Sequence, residues 1–512
     1  MTALDIERLH DAAAWPHPVV SLRCIETHTA WVFLTGEFAY KIKKPVNFGF
    51  LDFSSLEKRR HCCNEELRLN RRLAPELYLA VVPISGSPTR VDGEGEAIEY
   101  AVKMRQFDTS AGFDELAQRG ALTAGQMDEA AAVLAGFHAG AEQAPLEGEF
   151  GTPAAVAYPV IENFEQIAPH LPRQAPDCLS LFQRLEGWSR DASQALHDDF
   201  AARLAGGFVR ECHGDLHLRN IVLWRGRVVP FDCLEFNPSL RWIDVMSELG
   251  FLLMDLDDHG LAPLARRLLN AYLEYSGDYA GLALLRFYQV YRAMVRAKVE
   301  SLRLAQLDAP DEAMIDELRG YLALAGAYTE PGKPRLLIAH GLSGSGKTYL
   351  SQCLLEACEL VRVRSDVERK RLFGLGPLEA SGSARDKGIY SKAANTDTYQ
   401  HLLDVANLLL QSGWAVLIDA AFLKREERDQ FRDLAAGMQL PFAILHCECD
   451  SQVQRRRIPA RQGDASEADL EVLELQLERQ ETLAEDELDY TLWVDTTTEP
   501  DLAPALDWLR AD

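Results

Sequence analysis

The sequence has no apolar run long enough to cross a membrane. No uninterrupted apolar stretch approaches the roughly 18 residues that a spanning helix needs. The amino-terminal segment carries Asp5 and Glu7 and lacks the apolar core of a signal peptide. Internal repeats and low-complexity tracts are absent as well. These absences predict a soluble cytoplasmic protein without a membrane partner.

Cysteine and positive charge are both scarce. The 10 cysteines among 512 residues lack the dense spacing of a small secreted scaffold, so we interpret them as reduced thiols. His446, Cys447 and Cys449 lie close together, but they have no second ligand pair and fall on a predicted buried strand, which argues against a metal site. The net charge of −25 disfavours a surface that coats nucleic acid, although a local basic pocket stays possible.

The composition is that of ordinary globular protein, with 47% hydrophobic and 26% charged residues. Residues 31–44 predict a β-hairpin, residues 55–73 a helix and residues 99–107 a further strand. Thr123 and Gln126 then form a predicted capping box at the start of mostly helical sequence. The pattern predicts a small β-rich lobe followed by a helical lobe.

The carboxy-terminal part has a different pattern. Residues 326–334 concentrate glycine and proline between two periodic regions, as a linker does. Beyond them, apolar strand candidates at 335–340, 415–419 and 441–447 alternate with helical stretches. This alternation predicts an α/β domain with a parallel sheet and crossover helices.

A phosphate-binding motif follows the first of these strands. Residues 341–348 read GLSGSGKT and match G-x-x-x-x-G-K-[ST] directly behind an apolar run. Such a loop turns its backbone N–H groups around phosphate oxygens, and side chains at its glycines would block that approach. Lys347 would reach the β- and γ-phosphates of ATP, and Thr348 would bind Mg²⁺. The predicted nucleotide-binding residues are Gly341, Leu342, Ser343, Gly344, Ser345, Gly346, Lys347 and Thr348.

A second set of phosphoryl-transfer residues lies earlier in the chain. Residues 213–220 read HGDLHLRN, which places Asp215 five positions before Asn220, and Asp232 follows a short strand-like run. Phosphoryl transfer to a hydroxyl needs a carboxylate that orients and deprotonates the acceptor, and oxygen ligands that hold Mg²⁺. Asp215 suits the first role, and Asn220 and Asp232 suit the second.

These residues resemble those of the aminoglycoside phosphotransferase and choline kinase group, whose fold is related to protein kinases. The resemblance covers roughly residues 30–320. It implies that Asp215 is the base, that Asn220 and Asp232 bind the metal, and that Lys41 in FAYK pairs the α- and β-phosphates. Lys43 lies on the same strand face and is a rival for that role.

The resemblance leaves several assignments open. Glu65 or Glu66 would be the ion-pair partner of the lysine, and the sequence does not choose between them. We interpret His213, His217 and Asp244 as structural residues that satisfy loop backbone groups. Glu235 could approach the metal, but a solvated carboxylate is the simpler interpretation. The chain also departs from the group, with Leu218 and Arg219 in place of Pro-Gly and Gly36 as the lone glycine of the nucleotide loop.

Acidic and basic residues accompany the GLSGSGKT loop. Asp419 ends the predicted strand at 415–419 and is our candidate for holding Mg²⁺ through water. Asp366 follows another strand, and Arg369 would lie near it if a helix begins there. Arg457 and Arg461 are four positions apart on one predicted helical face, where they could close over phosphates. A solvated basic helix face is the alternative for these two arginines.

Together these features resemble the small-substrate P-loop kinases, a group that includes gluconate-kinase-like, zeta-toxin-like and polynucleotide 5′-hydroxyl kinases. The resemblance covers about residues 335–512 and implies that Asp366 is the general base, Arg369 a substrate or phosphate contact, and Arg457 and Arg461 lid arginines. The whole chain resembles a bacterial two-domain family in which an aminoglycoside phosphotransferase-like domain is fused to a P-loop kinase.

The resulting prediction is an α+β bilobal protein-kinase-like domain followed by an α/β P-loop kinase domain with a parallel sheet. The predicted bounds are 1–107 for the amino-terminal lobe, 108–325 for the helical lobe, 326–334 for the linker and 335–512 for the P-loop domain.

The leading functional hypothesis is an ATP- and Mg²⁺-dependent kinase with two sites, each acting on a hydroxyl of a small molecule. In one alternative, the amino-terminal domain is a pseudokinase or sensor that regulates the P-loop kinase. In another, the carboxy-terminal domain phosphorylates a nucleotide or an RNA 5′-hydroxyl, because Arg362, Arg364, Lys370 and Arg371 surround Asp366. The substrates, any coupling between the sites and the oligomeric state do not follow from the sequence.

Overall fold

A computed structural model describes residues 4–47, 51–86, 88–307, 309, 311–383, 387–460 and 463–511. The chain divides into two compact units. The first comprises Met1–Leu122, Phe137–Gln166 and Arg190–Asp255, and the second comprises Thr123–Gly136, Ile167–Ser189 and Leu256–Asp512.

The strands and helices of the described residues are numbered in chain order. The strands are β1 (Arg23–Glu26), β2 (Ala30–Leu34), β3 (Phe38–Lys43), β4 (Tyr78–Ser85), β5 (Arg90–Val91), β6 (Ala97–Arg105), β7 (Val209–Glu211), β8 (Ile221–Trp224), β9 (Arg227–Pro230), β10 (Trp242–Asp244), β11 (Leu336–His340), β12 (Val361–Arg364), β13 (Val416–Asp419), β14 (Phe442–Glu448) and β15 (Thr491–Asp495). The helices are α1 (Leu56–Asn70), α2 (Phe113–Gln118), α3 (Ala124–Gly140), α4 (Pro153–Ile167), α5 (Leu171–Gln174), α6 (Leu179–Ala195), α7 (His197–Ala205), α8 (Val245–Asp258), α9 (Ala262–Ser276), α10 (Leu282–Leu304), α11 (Glu312–Tyr328), α12 (Lys347–Ala357), α13 (Ser365–Leu372), α14 (Lys392–Gln411), α15 (Arg425–Gly437), α16 (Ser451–Ala460), α17 (Leu470–Arg479) and α18 (Ala503–Arg510).

The first unit is built on a six-stranded antiparallel sheet in the order β1-β2-β3-β6-β4-β5. The predicted hairpin at 31–44 is confirmed as β2 and β3, and the predicted helix at 55–73 as α1. Ser55 caps α1 by accepting a hydrogen bond from the Lys58 N–H at 3.2 Å. Helix α1 packs against β6 and β4, so its buried residues lie over the sheet.

Two short pairs of antiparallel strands carry the loops of the first site. Strand β7 pairs with β10, and β8 pairs with β9, both antiparallel. The loop 212–220 joins β7 to β8, and the loop 231–241 joins β9 to β10. The HGDLHLRN segment and Asp232 therefore lie on the two loops that leave this small β-structure.

The second unit contains a five-stranded parallel sheet in the order β12-β13-β11-β14-β15. The strands predicted at 335–340, 415–419 and 441–447 are confirmed as β11, β13 and β14. Every residue of β11 is buried, because helices cover both faces of a parallel sheet. Leu350 and Leu354 of α12 belong to the core on one face. The predicted parallel α/β fold of the carboxy-terminal domain is confirmed.

The second unit also contains helices that precede the predicted linker. Helix α9 packs against β12 and α12, and α11 packs against α10. The first residues of the predicted linker, 326–328, form the end of α11. The linker thus lies within the second unit, and the domain boundary there stays a prediction. Thr123 and Gln126, also in this unit, form the predicted capping box with hydrogen bonds of 2.8 and 3.3 Å.

The buried pair of Arg203 and Asp244 generates a stability prediction. The guanidinium donates two hydrogen bonds to the Asp244 carboxylate, at 2.8 and 2.7 Å, and both side chains are almost fully buried. In Asp244→Asn the buried guanidinium keeps its charge but loses the carboxylate that accepts these two hydrogen bonds. We expect the free energy of unfolding of the first unit to fall by about 3–5 kcal/mol. Urea-dependent hydrogen exchange of peptides from α8 measures this change.

An exposed pair in the same unit provides the control. Glu76 accepts from Arg225 at 2.9 Å, and both side chains are more than half exposed. The substitution Glu76→Gln should leave the exchange close to wild type, since solvent screens this pair. Equal effects of the two substitutions would contradict the structural role of Asp244.

Candidate active sites

The loop between β7 and β8 presents the predicted base of the first site. The Asn220 amide donates hydrogen bonds to the Asp215 carbonyl at 2.9 Å and to its carboxylate at 3.2 Å. His217 Nε2 lies 3.4 Å from the same carboxylate, which is 43% exposed. Asp215 is therefore held in place and still accessible to an acceptor.

Asp232 follows β9 in a strained backbone conformation. Its φ of 63° lies in the left-handed region, which non-glycine residues seldom adopt. The Asp232 N–H donates to the Tyr78 hydroxyl at 3.1 Å, and the next N–H, of Cys233, donates to the Asn70 side chain at 2.8 Å. These contacts direct the Asp232 carboxylate toward Lys41, whose Nζ lies 2.6 Å from Oδ1.

Both predicted lysines contact one glutamate. Lys41 Nζ lies 3.0 Å from one oxygen of Glu66, and Lys43 Nζ lies 2.6 Å from the other. Glu66 is fully buried. Burial disfavours its charged form, but the two ammonium groups outweigh burial and lower the pKa of Glu66 to about 2. Glu65 instead pairs with Arg68 at 2.8 Å, so Glu66 is the ion-pair partner that the sequence left open.

Exposure distinguishes the two lysines. The Lys41 side chain is 18% exposed and that of Lys43 is 1% exposed. Lys43 is also enclosed by Glu235, with which it forms a second buried ion pair. The interpretation of Glu235 as a solvated carboxylate is therefore wrong. Burial raises the pKa of Glu235, with Lys43 opposing the shift. Its partner lies 192 positions away in the sequence, so no local pattern could reveal the pair.

Buried residues hold the two loops of this site together. His213 Nε2 lies 2.7 Å from the Phe231 carbonyl, and the Leu234 N–H donates to the His213 carbonyl at 2.9 Å. Asp244 pairs with Arg203, as described above. These contacts agree with the structural roles predicted for His213 and Asp244, whereas His217 lies against the Asp215 carboxylate.

Two acids of α8 support the loop between β7 and β8 and were missed in the sequence. Glu248 accepts from the Gly214 N–H at 2.7 Å and contacts His138 at 3.0 Å. Asp255, two helical turns later, accepts from the Leu218 N–H at 2.8 Å. Both are buried. The sequence signal for them was two carboxylates on one face of a largely apolar helix. Carboxylates on a buried face need polar partners, so this pattern indicates that they bind another segment.

The phosphate loop of the second unit has the geometry that its motif predicts. Gly341, Gly344 and Gly346 have φ values of 143°, 79° and 89°, which favour glycine. A Cβ at Gly344 would lie 2.9 Å from the Gln454 carbonyl oxygen. Helix α12 begins at Lys347, whose Nζ donates to the carbonyls of Gly341 and Leu342, each at 2.8 Å. The loop is thus folded as a cradle at a helix N-terminus, where anions bind.

Other residues of the phosphate loop are fixed by neighbouring helices and by the segment that follows β15. The Ser343 N–H donates to the Gln476 side chain at 2.7 Å, and the Gln454 amide donates to the Ser343 carbonyl at the same distance. Ser345 is buried, and its carbonyl accepts from the Thr496 hydroxyl at 2.5 Å.

Asp419 lies at the end of β13, beside the start of α12. It is buried, and the Ser351 hydroxyl lies 3.4 Å from its Oδ2 and donates to the Thr348 carbonyl at 3.0 Å. The Thr348 hydroxyl and the Asp419 carboxylate are oxygen donors, the type that Mg²⁺ prefers. The donor set of the second site, like Asn220 and Asp232 in the first, therefore fits this cation.

Asp366 and Arg369 lie on α13, which begins at Ser365 as the spacing predicts. Asp366 is half-buried in the first turn. Arg369 donates to the Ile389 carbonyl at 3.0 Å and to the Asn395 side chain at 2.9 Å. Within the described part of the chain, no hydrogen bond or ion pair joins the two residues. The helix is thus confirmed, but Arg369 contacts α14 and the segment before it.

Arg457 lies next to the phosphate loop. It donates to the Thr496 carbonyl at 2.6 Å, and its Nη1 lies 3.4 Å from the position that a Cβ would occupy at Gly346. The second predicted lid residue, Arg461, is outside the described residues. Of the two predicted lid arginines, the structure therefore locates Arg457, which lies beside the phosphate loop.

The other basic residues near Asp366 each contact a carboxylate of the same unit. Lys370 pairs with Glu467 at 3.1 Å, and Arg371 pairs with Glu368 at 3.0 Å. Arg362 and Arg364 both contact Glu274 of α9, at 2.6 and 3.5 Å. Glu274 was not identified in the sequence, because it lies far from its partners along the chain.

Within the described residues, no helix combines the length and the apolar character needed to cross a bilayer.

Comparisons with known proteins place both parts of the chain. The family described as "Phosphotransferase enzyme family" matches residues 62–285, and the family described as "AAA domain" matches residues 336–483. Uncharacterized protein Rv2004c of Mycobacterium tuberculosis is 33% identical over 466 residues, covering 90% of this chain and 91% of that protein. Uncharacterized protein Mb2027c of Mycobacterium bovis gives the same values.

Solved structures also show similarity. A gluconokinase from Sinorhizobium meliloti is 22% identical, covers 35% of this chain and 93% of its own, and has a TM-score of 0.25. A choline/ethanolamine kinase family protein from Mesorhizobium loti is 16% identical, covers 60% and 88%, and has a TM-score of 0.38.

The identity to the mycobacterial proteins extends over nearly the whole length of both chains. The protein therefore belongs to the family of Rv2004c, and it joins a kinase-like phosphotransferase domain to a P-loop kinase domain.

Proposed function

We propose that the protein is an ATP-dependent kinase with two sites, each of which transfers the γ-phosphoryl group of ATP to a hydroxyl of a small molecule. The observation that carries the proposal is the cluster of Lys41, Glu66 and Asp232 beside the loop of Asp215 and Asn220. Phosphoryl transfer needs a lysine for the phosphates, an acid that orients this lysine, oxygen ligands for a metal ion and a carboxylate base, and these residues can supply all four.

In the first site, Lys41 is the lysine for the α- and β-phosphates. It is the more exposed of the two lysines, so it can turn from Asp232 toward a nucleotide. Lys43 remains with Glu66 and Glu235 and keeps Glu66 in place. Asn220 and Asp232 would hold Mg²⁺, which offsets the negative charge of the phosphates when bound.

The chemical step in the first site centres on Asp215. Its carboxylate orients the acceptor hydroxyl and takes the proton as the acceptor oxygen bonds to the γ-phosphorus. The bond between that phosphorus and the β,γ-bridging oxygen breaks, and ADP leaves. His217, 3.4 Å from the Asp215 carboxylate, limits how this carboxylate can turn.

In the second site, Lys347 contacts the β- and γ-phosphates, and Thr348 and Asp419 would hold Mg²⁺. Asp366 is the proposed base, and Arg369 contacts the acceptor or the phosphates. Arg457, beside Gly346, and by its spacing Arg461 offset charge on the transferred group. The backbone of the glycine loop supplies the remaining phosphate contacts.

A small acceptor is favoured over a nucleic-acid end in the second site. Arg362, Arg364, Lys370 and Arg371 suggested a surface for a 5′ end. Each of them contacts a carboxylate of the same unit, so little of their positive charge remains for a phosphate backbone. The sensor alternative for the first domain is disfavoured by its complete set of Asp215, Asn220 and Asp232.

The proposal predicts separable losses of activity. In a screen of a metabolite pool with γ-labelled ATP, Asp215→Asn should reduce the labelling of one set of acceptors by about 10²–10⁴-fold, the usual contribution of a general base. Lys347→Ala should reduce the labelling of a different set. Unchanged labelling in both variants would refute the dual-kinase proposal.

Two further outcomes in this screen would revise the proposal. If Lys347→Ala reduces acceptor labelling and Asp215→Asn does not, a sensor role for the first domain would be favoured. Label on 5′-hydroxyl oligonucleotides that disappears in Lys347→Ala would replace the small acceptor of the second site by a nucleic-acid end.

The two lysines of β3 predict contrasting phenotypes. Lys41→Met should weaken ATP binding to the first site about tenfold or more, because a charged contact to the phosphates is lost. Lys43→Met leaves Glu235 buried without its ammonium partner, so the free energy of unfolding should fall by about 3–5 kcal/mol. Calorimetric ATP titration and urea unfolding measure the two effects.

These titrations use Lys347→Ala as the background, so that the heat reports the first site. The two methionine variants serve as controls for each other, since they make the same change two positions apart on one strand face. Weaker ATP binding in Lys43→Met than in Lys41→Met, with equal stabilities, would reverse the assignment of the two lysines.

A further inference from the structure

Two buried arginines of β12 lie close to the second site. Arg362 and Arg364 are two positions apart and thus on one side of the strand. Their side chains are 6% and 11% exposed. Buried guanidinium groups keep their charge and need acidic partners, so the source of those partners determines the electrostatics of this region.

Glu274 of α9 supplies one carboxylate to both arginines. Its Oε1 lies 2.6 Å from Arg362 Nη2, and its Oε2 lies 3.5 Å from Arg364 Nη1. Asn270, one turn earlier on α9, accepts from the Arg362 N–H at 2.8 Å and donates to the Leu360 carbonyl at 3.2 Å. The helix is therefore bound to the backbone of β12, which fixes Glu274 against the arginines.

The arginines continue these contacts to the magnesium-binding candidates. Arg362 Nη1 lies 3.4 Å from both the Thr348 carbonyl and the Ser351 hydroxyl. Ser351 in turn contacts Asp419 at 3.4 Å, and Arg364 Nε lies 3.9 Å from the same Asp419 oxygen. Glu274, the two arginines, Ser351 and Asp419 thus form a closed ring of polar contacts.

The charges around this ring are balanced in a specific way. Arg364 also pairs with Asp464, so Glu274 and Asp464 together match the two guanidinium groups. Asp419 then keeps its negative charge for a cation. Without Glu274, Arg364 keeps Asp464, whereas Arg362 loses its matching acid. Arg362 Nη1 lies 3.4 Å from the Ser351 hydroxyl, which itself lies 3.4 Å from Asp419. That guanidinium would compete with a cation for Asp419.

We infer that Glu274 is a positioning residue of the second site, which keeps Arg362 from Asp419, limits Arg364 to its long 3.9 Å contact with that carboxylate, and so keeps Asp419 available to Mg²⁺. The inference rests on the proposed function of Asp419. Glu274 lies within the stretch that matches the phosphotransferase family, residues 62–285. Part of that stretch therefore serves the P-loop site.

Titration of the full chain with ADP, with and without Mg²⁺, tests the inference by calorimetry. All proteins carry Lys41→Met, so that binding reports the second site. Glu274→Gln should reduce the gain in ADP affinity that Mg²⁺ provides by about tenfold. ADP binding without Mg²⁺ should stay the same or become tighter, because the unmatched arginine attracts the phosphates. A loss of fold would weaken ADP binding both with and without Mg²⁺.

Two further variants complete the design. Glu359→Gln removes a carboxylate that lies 3.1 Å from Arg286 in the same unit, and the Glu359 side chain is 56% exposed. This variant should leave ADP binding unchanged in both titrations. Arg362→Gln, added to Glu274→Gln, removes the unmatched charge and should restore most of the gain with Mg²⁺. This rescue separates a charge effect from a packing effect.

The outcomes that overturn the inference are distinct from those that overturn the proposed function. An unchanged gain with Mg²⁺ in Glu274→Gln refutes the positioning role while Asp419 keeps its assignment. If the ADP affinity falls equally with and without Mg²⁺, and Arg362→Gln does not restore it, Glu274 has a purely structural role, and the inference is also refuted. If ADP binding to the Lys41→Met protein does not respond to Mg²⁺, the proposed metal role of Asp419 is refuted, and the inference fails with it.

Discussion

The first site depends on one buried carboxylate, that of Glu66. A buried charge is tolerated only with close partners of opposite sign, and Glu66 finds them in Lys41 and Lys43 at 3.0 and 2.6 Å. Through these lysines it connects α1 to β3 and to the loop that carries Asp232. The positions of the helix, the strand and the loop are therefore coupled, and none of them can shift without separating charges.

The two candidate sites place similar groups on different folds. In each, an acid follows or ends a strand, Asp232 after β9 and Asp419 in β13, and a lysine stands near the place where phosphates would bind. The first site fixes its lysine with the side chain of Glu66. The second fixes Lys347 with two backbone carbonyls at 2.8 Å. Preorganisation of charge, rather than a shared scaffold, is the common property.

The sequence predicted what is local and missed what is assembled from distant segments. The hairpin of β2 and β3, the parallel strands and the GLSGSGKT loop follow from short patterns. The choice of Glu66 over Glu65 depends on the phase of α1, which turns Glu66 into the core and leaves Glu65 with Arg68. Glu235 and Glu274 could not be predicted, because each acquires its role from a partner that only the tertiary structure brings close. Glu248 left a weaker signal, as a carboxylate on a largely apolar helix.

The contacts of α9 bear on where the P-loop domain can be separated from the rest of the chain. By sequence family this helix belongs with the first domain, yet Asn270 and Glu274 hold the edge strand of the parallel sheet. A P-loop fragment that begins at the segment 326–334 would lack this helix. Such a fragment would leave behind part of its own electrostatic environment.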